Sequence, residues 1–278
     1  MLTRFAPPGV RAAVVATFAA CSLAISSHAF AQQPTPSPGT PAVQAAAGKE
    51  EGGFFKSLVV NLGDDVKHMP RMNSLYWLAA GSGLALAVHP ADDSLNQHLA
   101  GDFADKFFAP GKVIGSFPFV IGTGITTYLV GRIGDHPRGK HLGMDLIEAT
   151  LLSEGITQGI KYSVRRERPI APDGSQASGY AFPSGHATVT FAAATVLQQH
   201  LGWKAAVPTY LVASYVAISR LHDNRHFASD VVFGATDGII IGRSVTWHGR
   251  NFYASPMLIP KGTGIIVNVH AARPVPHS

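Results

Sequence analysis

Six apolar stretches of helical length follow one another between residues 74 and 245, each closed by Gly, Pro or charge. They cover 74–89 (SLYWLAAGSGLALAVH), 111–133, 143–164 (GMDLIEATLLSEGITQGIKYSV), 185–201, 203–219 and 228–245 (ASDVVFGATDGIIIGRSV). Apolar runs alone do not separate helix from buried strand, but these are longer than strands usually are, and their boundaries are those of helices. The expected fold is all-α: a helical bundle of about six core helices. The chain has 278 residues, 46% of them hydrophobic, enough for one large core. No repeat of fixed period interrupts the pattern.

A bundle this apolar raises the question of a membrane. Residues 72–91 and 113–131 carry no formal charge and approach the roughly 20 residues a span needs. Both contain several glycines, however, and Pro118 lies inside the second. The third helix carries Asp145, Glu148 and Glu154, and the sixth carries Asp237 and Arg243. Charges inside a span are costly unless they face a polar interior. The pattern favours a water-soluble or peripherally attached domain over an integral bundle.

The ends read differently. Arg4 and Arg11, the run AAVVATFAACSLAI and the small-x-small ending Ala29-Phe30-Ala31 form a secretory signal over residues 1–31, with cleavage expected after Ala31. The alternatives are an N-terminal anchor and, at Cys21, a lipoprotein signal. Cys21 is the sole cysteine, so the mature chain would lack disulfides and thiolate chemistry. Residues 32–53 are rich in Pro and small polar residues and read as a flexible tether. The helical domain then occupies 54–250. In the tail, 251–278, two β-branched-rich runs flank PKGTG and predict a short hairpin. The signal implies export, most simply to a bacterial periplasm.

Charge narrows the function. The net charge of +5 is spread along the chain, and basic residues do not alternate with aromatics as in a nucleic-acid surface. A modest positive balance fits an anionic substrate.

Three segments hold the chemically unusual side chains: KYSVRRERP (161–169), PSGH (183–186) and SRLHDNRHFASD (219–230). Singly, each has an ordinary explanation. The cations could be a solvated helix end, Pro183-Ser184 a helix start, and His226 with Asp230 an i, i+4 surface pair. Together they do one job. Lys161, Arg168 and Arg220 can bind phosphate oxygens by charge-assisted hydrogen bonds. A helix mouth at Ser184-Gly185 adds free N–H groups, and Gly185 lets an anion come close. His226, oriented by Asp230, has a lone pair for nucleophilic attack. His186 supplies a second imidazole as general acid and base. No metal-ligand cluster competes with this reading; His222, beside Asp223, is read as a supporting or loop residue and not as a ligand.

The three segments resemble the signature of the type 2 phosphatidic acid phosphatase (PAP2) family, which includes bacterial acid phosphatases and vanadium haloperoxidases: K-x6-R-P, P-S-G-H and S-R-x5-H-x3-D. All its fixed positions are present, from Lys161, Arg168 and Pro169 through Pro183, Ser184, Gly185 and His186 to Ser219, Arg220, His226 and Asp230. The resemblance implies a helical bundle of the PAP2/haloperoxidase type with the site at one end. It implies His226 as nucleophile forming a phosphohistidine, Asp230 as its orienting acid and His186 as acid/base. Lys161, Arg168, Ser184, Gly185 and Arg220 would hold the phosphate, with no metal and no cofactor.

The function expected is therefore a metal-independent phosphoric monoester hydrolase outside the cytoplasm. Its substrate would be a phosphorylated lipid or a small phosphomonoester, with membrane contact open and nucleic acid excluded. Two alternatives remain: a vanadate-dependent haloperoxidase, and a non-catalytic binder of anionic lipid or phosphate. Natural substrate, oligomeric state and the role of the hairpin are not specified by these residues.

Overall fold

The computed structural model describes residues 54–99, 104–171 and 174–246, and the backbone of 252–259 and 262–269. The expected signal and tether lie outside the described residues. Among the described residues nine α-helices form: α1 (Phe54–His68), α2 (Met72–Val88), α3 (Asp92–Leu99), α4 (Asp105–Ile114), α5 (Phe117–Ile133), α6 (Pro137–Val164), α7 (Gly185–Leu201), α8 (Trp203–His222) and α9 (Ala228–Val245). A 3₁₀ turn, His89–Ala91, joins α2 to α3. In the tail, β1 (Phe252–Ile259) pairs antiparallel with β2 (Gly262–Val269).

The six predicted helices are all present, with one correction. The stretch read as one helix over 111–133 is broken: α4 ends at Ile114, α5 begins at Phe117, and their axes differ by 54°. Pro118 is the cause. In a continuous helix it would leave the Ile114 carbonyl without a donor and press its ring against that carbonyl. Ser116 is extended (φ −76°, ψ 145°), and both its hydroxyl, at 2.7 Å, and its N–H, at 3.0 Å, donate to the Val113 carbonyl at the end of α4. Helix α3, DDSLNQHL, is short and polar, and so invisible to a search for apolar runs.

Helix α7 is the axis of the fold; α6, α8 and α9 all pack on it. One apolar cluster joins Ala187, Phe191 and Ala194 to Tyr210 and Ala213 of α8 and Val231 of α9. A second joins Ala192 and Val196 to Leu146, Ala149 and Leu152 of α6 and Ile241 of α9. Truncating a buried aromatic such as Phe191 would cost about 3–5 kcal/mol.

The approach of α9 to α7 is backbone-close. A Cβ on Gly238 would lie 2.3 Å from the Thr188 carbonyl oxygen, and one on Gly234 would lie 2.7 Å from that of Ser184. Only glycine fits there, and the contact lets the Ser184 N–H donate to the Asp230 carbonyl at 3.0 Å. Packing thereby ties the mouth of α7 to the first turn of α9.

The outer faces of the peripheral helices are apolar. Tyr76 and Leu86 on α2, Phe107 on α4, Val130 and Ile133 on α5 and Leu211 on α8 are all exposed. Among the described residues no single helix is long and apolar enough to cross a membrane; α4 and α5 together satisfy length and composition as a bent pair.

Candidate active site

The site forms where three chain reversals meet. The first follows α6. Arg165 caps that helix in the left-handed region (φ 53°), its N–H bonded to the Lys161 carbonyl at 2.9 Å. That turn carries Arg166 and Arg168 back over the helix end. The second is the segment 180–184 leading into α7, where Ser184 is the N-cap residue. The third is the α8–α9 turn, in which Asn224 takes φ 50° and the Arg225 N–H bonds the Arg220 carbonyl at 3.0 Å. It delivers His226 to the start of α9.

The His226 ring is buried, and its Nδ1 lies 2.7 Å from the Ala181 carbonyl oxygen. A carbonyl can only accept, so Nδ1 carries the proton and Nε2 carries the lone pair. Asp230 Oδ2 lies farther off, 3.8 Å from Nδ1. Both Asp230 oxygens also accept shorter bonds from other donors: Oδ2 accepts the Phe227 N–H at 2.8 Å and Oδ1 accepts from Arg166 at 2.7 Å. The expectation that Asp230 orients His226 is thus supplemented: a main-chain carbonyl accepts the Nδ1 hydrogen bond, and Asp230 adds negative charge 3.8 Å away. Burial lowers the His226 pKa to about 4; Asp230 opposes that shift, while Lys161 and Arg168 add to it.

His186 opens α7 and is half-buried, with Nε2 3.2 Å from the Lys112 carbonyl at the end of α4. Burial, then the Arg220 guanidinium, lower its pKa to about 4, against the pull of the Lys112 carbonyl; His226 and Arg168 push the same way as Arg220. His186 therefore lies within the field of His226, and both rings lie within that of Arg168.

The cations gather around them. Lys161 donates from Nζ to the Tyr180 carbonyl at 2.6 Å. Burial and the neighbouring Arg168 lower its pKa to about 8, against Asp230 and Glu154. Burial and Arg225 also lower the Arg168 pKa, although a guanidinium keeps its charge. Arg220 is buried, with its guanidinium on Asp223 Oδ2 at 2.7 Å. Two polar atoms here are buried without a partner: Ser184 Oγ and Arg168 Nε. Orphaned donors of this kind are costly unless something supplies acceptors. Gly185 borders the same mouth, and a Cβ on it would press Thr157 at 3.3 Å.

This geometry is one that phosphoryl chemistry uses, and sequence comparison points the same way. The family model described as the PAP2 superfamily matches residues 142–253. Residues 142–253 are thus similar to the PAP2 superfamily. Lipid A 1-phosphatase of Porphyromonas gingivalis is 39% identical over 121 residues, 42% of this chain and 26% of that protein. Decaprenylphosphoryl-5-phosphoribose phosphatase of Mycolicibacterium smegmatis is 47% identical over 79 residues, 27% of this chain and 42% of its own length. The chain thus spans well under half of these two relatives. In fold it resembles the crystal structure of the transmembrane PAP2 type phosphatidylglycerolphosphate phosphatase from Bacillus subtilis, with TM-score 0.52, 18% identity, and coverage of 63% of this chain and 95% of that one.

The helical domain brings Lys161, Arg168, Ser184, Gly185, His186, Arg220, His226 and Asp230 to one end of the bundle. Sequence reasoning missed four participants. Arg166 sits inside the K-x6-R-P gap, and only its alternation with Arg168 could have flagged it. Asp92 and Ser229 give no local signal. The Ala181 carbonyl, being main chain, gives none at all. Among the described residues no group of His, Cys, Asp or Glu is placed to hold a metal ion.

Proposed function

We propose that this chain is a phosphatase that hydrolyses a lipid-borne phosphate ester outside the cytoplasm through a phosphohistidine. The observation that carries it is the pair of orphaned buried donors, Ser184 Oγ and Arg168 Nε, beside an imidazole whose Nε2 holds a lone pair. A bound phosphate satisfies both donors and offsets the mutual repulsion of Lys161, Arg168 and Arg220.

In the first step His226 Nε2 forms a bond to phosphorus while the ester P–O bond breaks. His186 gives its proton to the leaving oxygen, producing a free alcohol. In the second step His186 takes a proton from water, whose oxygen attacks phosphorus; the N–P bond breaks and phosphate leaves. In the empty site His186 is held neutral at pH 7. The negative charge of a bound phosphate favours the imidazolium, so the substrate itself loads the acid. Lys161, Arg168, Arg220 and the N–H groups at the mouth of α7 stabilise charge on the equatorial oxygens.

A lipid substrate is supported by the exposed apolar faces of α2, α4, α5 and α8, which a bilayer or micelle would cover. It is also supported by the lipid-linked phosphates in the names of the relatives. The signal over 1–31 supports the location.

The test is a substrate panel on detergent-solubilised protein: phosphatidic acid, a polyprenyl diphosphate and p-nitrophenyl phosphate. Phosphate release from a lipid ester, lost in His226→Ala, is expected. Brief exposure to ³²P-labelled substrate, quenched in alkali, should leave acid-labile label on wild-type protein. Label that persists in His226→Ala overturns the assignment of the nucleophile.

A further inference from the structure

Helix α3 contributes no residue to the signature and precedes the segment the family model matches, yet it reaches the back of the His226 loop. Its first residue, Asp92, is 3% exposed. Oδ1 accepts the Ser229 N–H at 2.9 Å; Oδ2 accepts the Ser229 hydroxyl at 2.5 Å and the Arg166 guanidinium at 2.8 Å, and lies 2.8 Å from His89 Nδ1. Burial raises the Asp92 pKa, but the hydrogen bonds from Ser229, Arg166 and His89 outweigh it and hold the carboxyl below its ordinary value. One turn on, Asn96 Nδ2 donates to Asn224 Oδ1 at 2.8 Å and to the His226 carbonyl at 3.4 Å.

Arg166 completes the arrangement from the other side. Its guanidinium bridges Asp92 and Asp230, with a further 2.7 Å bond to the Ser229 hydroxyl, and stacks 4.1 Å above the Phe227 ring. Its main-chain carbonyl accepts the Ala181 N–H at 2.7 Å, and Ala181 in turn accepts the His226 Nδ1 proton. Arg166 thus reaches the His226 ring by two routes: through the Asp230 carboxylate and through the Ala181 peptide.

We propose that Asp92 and Arg166 are positioning residues: a clamp, closed through Ser229, that fixes Asp230 and the Ala181 carbonyl and so sets the tautomer and direction of the His226 ring. The inference rests on the phosphatase reading only for its kinetic test. The clamp also does electrostatic work. Asp230 attracts both Lys161 and Arg168. Held by Arg166, its carboxylate is kept from turning onto either cation and neutralising the phosphate site. A planar fork can bridge two carboxylates and a hydroxyl at once; an ammonium cannot do so with the same geometry.

The experiment uses the full-length protein in detergent with three variants: Asp92→Asn, Ser229→Ala and, as a control, Arg165→Ala, an exposed neighbour outside the clamp. Kinetics are measured on whichever panel ester the wild type hydrolyses. Asp92→Asn should lower kcat by about tenfold or more, because a small misplacement of a reacting group is that costly, with KM changed by less than about twofold. Ser229→Ala should follow in the same direction, and Arg165→Ala should match wild type. A second readout is independent of turnover. In ¹⁵N-histidine-labelled protein the His226 signals, identified by their loss in His226→Ala, should report an Nδ1-protonated ring that shifts toward mixed tautomers in Asp92→Asn. Folded variants with wild-type kcat and an unchanged His226 signal overturn the clamp. If Asp92→Asn does not fold, Ser229→Ala decides by the same two measures. If the wild type hydrolyses no ester, the phosphatase reading fails, and the histidine signal alone judges the clamp.

Discussion

The carbonyl oxygen of Ala181 receives the Nδ1 proton of His226 at 2.7 Å, while the carboxylate four residues along α9 stands 3.8 Å away. The acceptor that fixes this imidazole is thus main chain, so a side-chain substitution can displace it but cannot delete it. Asp230→Asn should therefore be less damaging than His226→Ala. Loss of general-base-type support typically costs about 10²–10⁴ in rate. The asparagine variant should sit toward the mild end of that range and keep measurable turnover, while His226→Ala falls to background. Steady-state kinetics of the two variants side by side checks the order.

The pH profile follows from the perturbed groups. In the proposed mechanism His226 attacks only when neutral, and its pKa of about 4 keeps it neutral down to that value. Lys161, at about 8, loses its charge above that pH and weakens its hold on phosphate. The ratio kcat/KM should thus fall below about pH 4, where His226 gains a proton, and fall more steeply above about pH 8, where Lys161 loses one, on top of the decline that loading His186 with a proton imposes. Lys161→Arg should remove the steeper alkaline limb, because a guanidinium does not deprotonate in this range. A steeper limb that stays in place in the variant assigns it to another group.

Vanadate adopts five-coordinate geometry and should occupy the same donors as the phosphoryl group in flight. It is expected to inhibit competitively and to raise the unfolding temperature. A ligand at a hundred times its Kd stabilises by about 2.7 kcal/mol. Inhibition and stabilisation should both vanish in Arg168→Ala, as read by turnover and by thermal unfolding.

Asp237 predicts a pH-dependent stability. Burial alone raises its pKa to about 7, and its Oδ2 has no partner. A carboxyl shifted upward stays protonated in the fold while it ionises in the unfolded chain. Its contribution is full at acid pH and is lost as pH climbs from its unfolded value near 4 towards 7. Asp237→Asn cannot ionise, so its stability relative to wild type should rise by about 1.4 kcal/mol per pH unit across that window and level off above it. Denaturant unfolding of both proteins from pH 4 to pH 8 measures the difference.

Two glycines should respond in opposite directions. A Cβ on Gly234 would lie 2.7 Å from the Ser184 carbonyl oxygen, so Gly234→Ala must push the mouth of α7 away from α9. Overpacking of this kind costs about 1–3 kcal/mol, and activity should fall with it because Ser184 moves. Gly155 is exposed in mid-helix with nothing within 4 Å of an added Cβ. Gly155→Ala should stabilise by about 0.5–1 kcal/mol through helix propensity and leave turnover unchanged.

The sequence by itself determined five of the six long helices, all but the broken 111–133 stretch, because length, Gly/Pro punctuation and apolar content are local properties. It also marked the candidate phosphate-binding groups, because Lys161, Arg168, Ser184, His186, Arg220 and His226 are identifiable by residue type and spacing. Only the tertiary structure decided how these groups are held. The bend at Pro118, the short polar helix α3 and the contact of Asp92 with Ser229 and Arg166 depend on segments far apart in the chain. The atom that orients His226 is a peptide carbonyl, which every residue possesses and no residue type announces. Side-chain chemistry is written in the identity of a residue, whereas a hydrogen bond to the backbone exists only once folding has brought the two together.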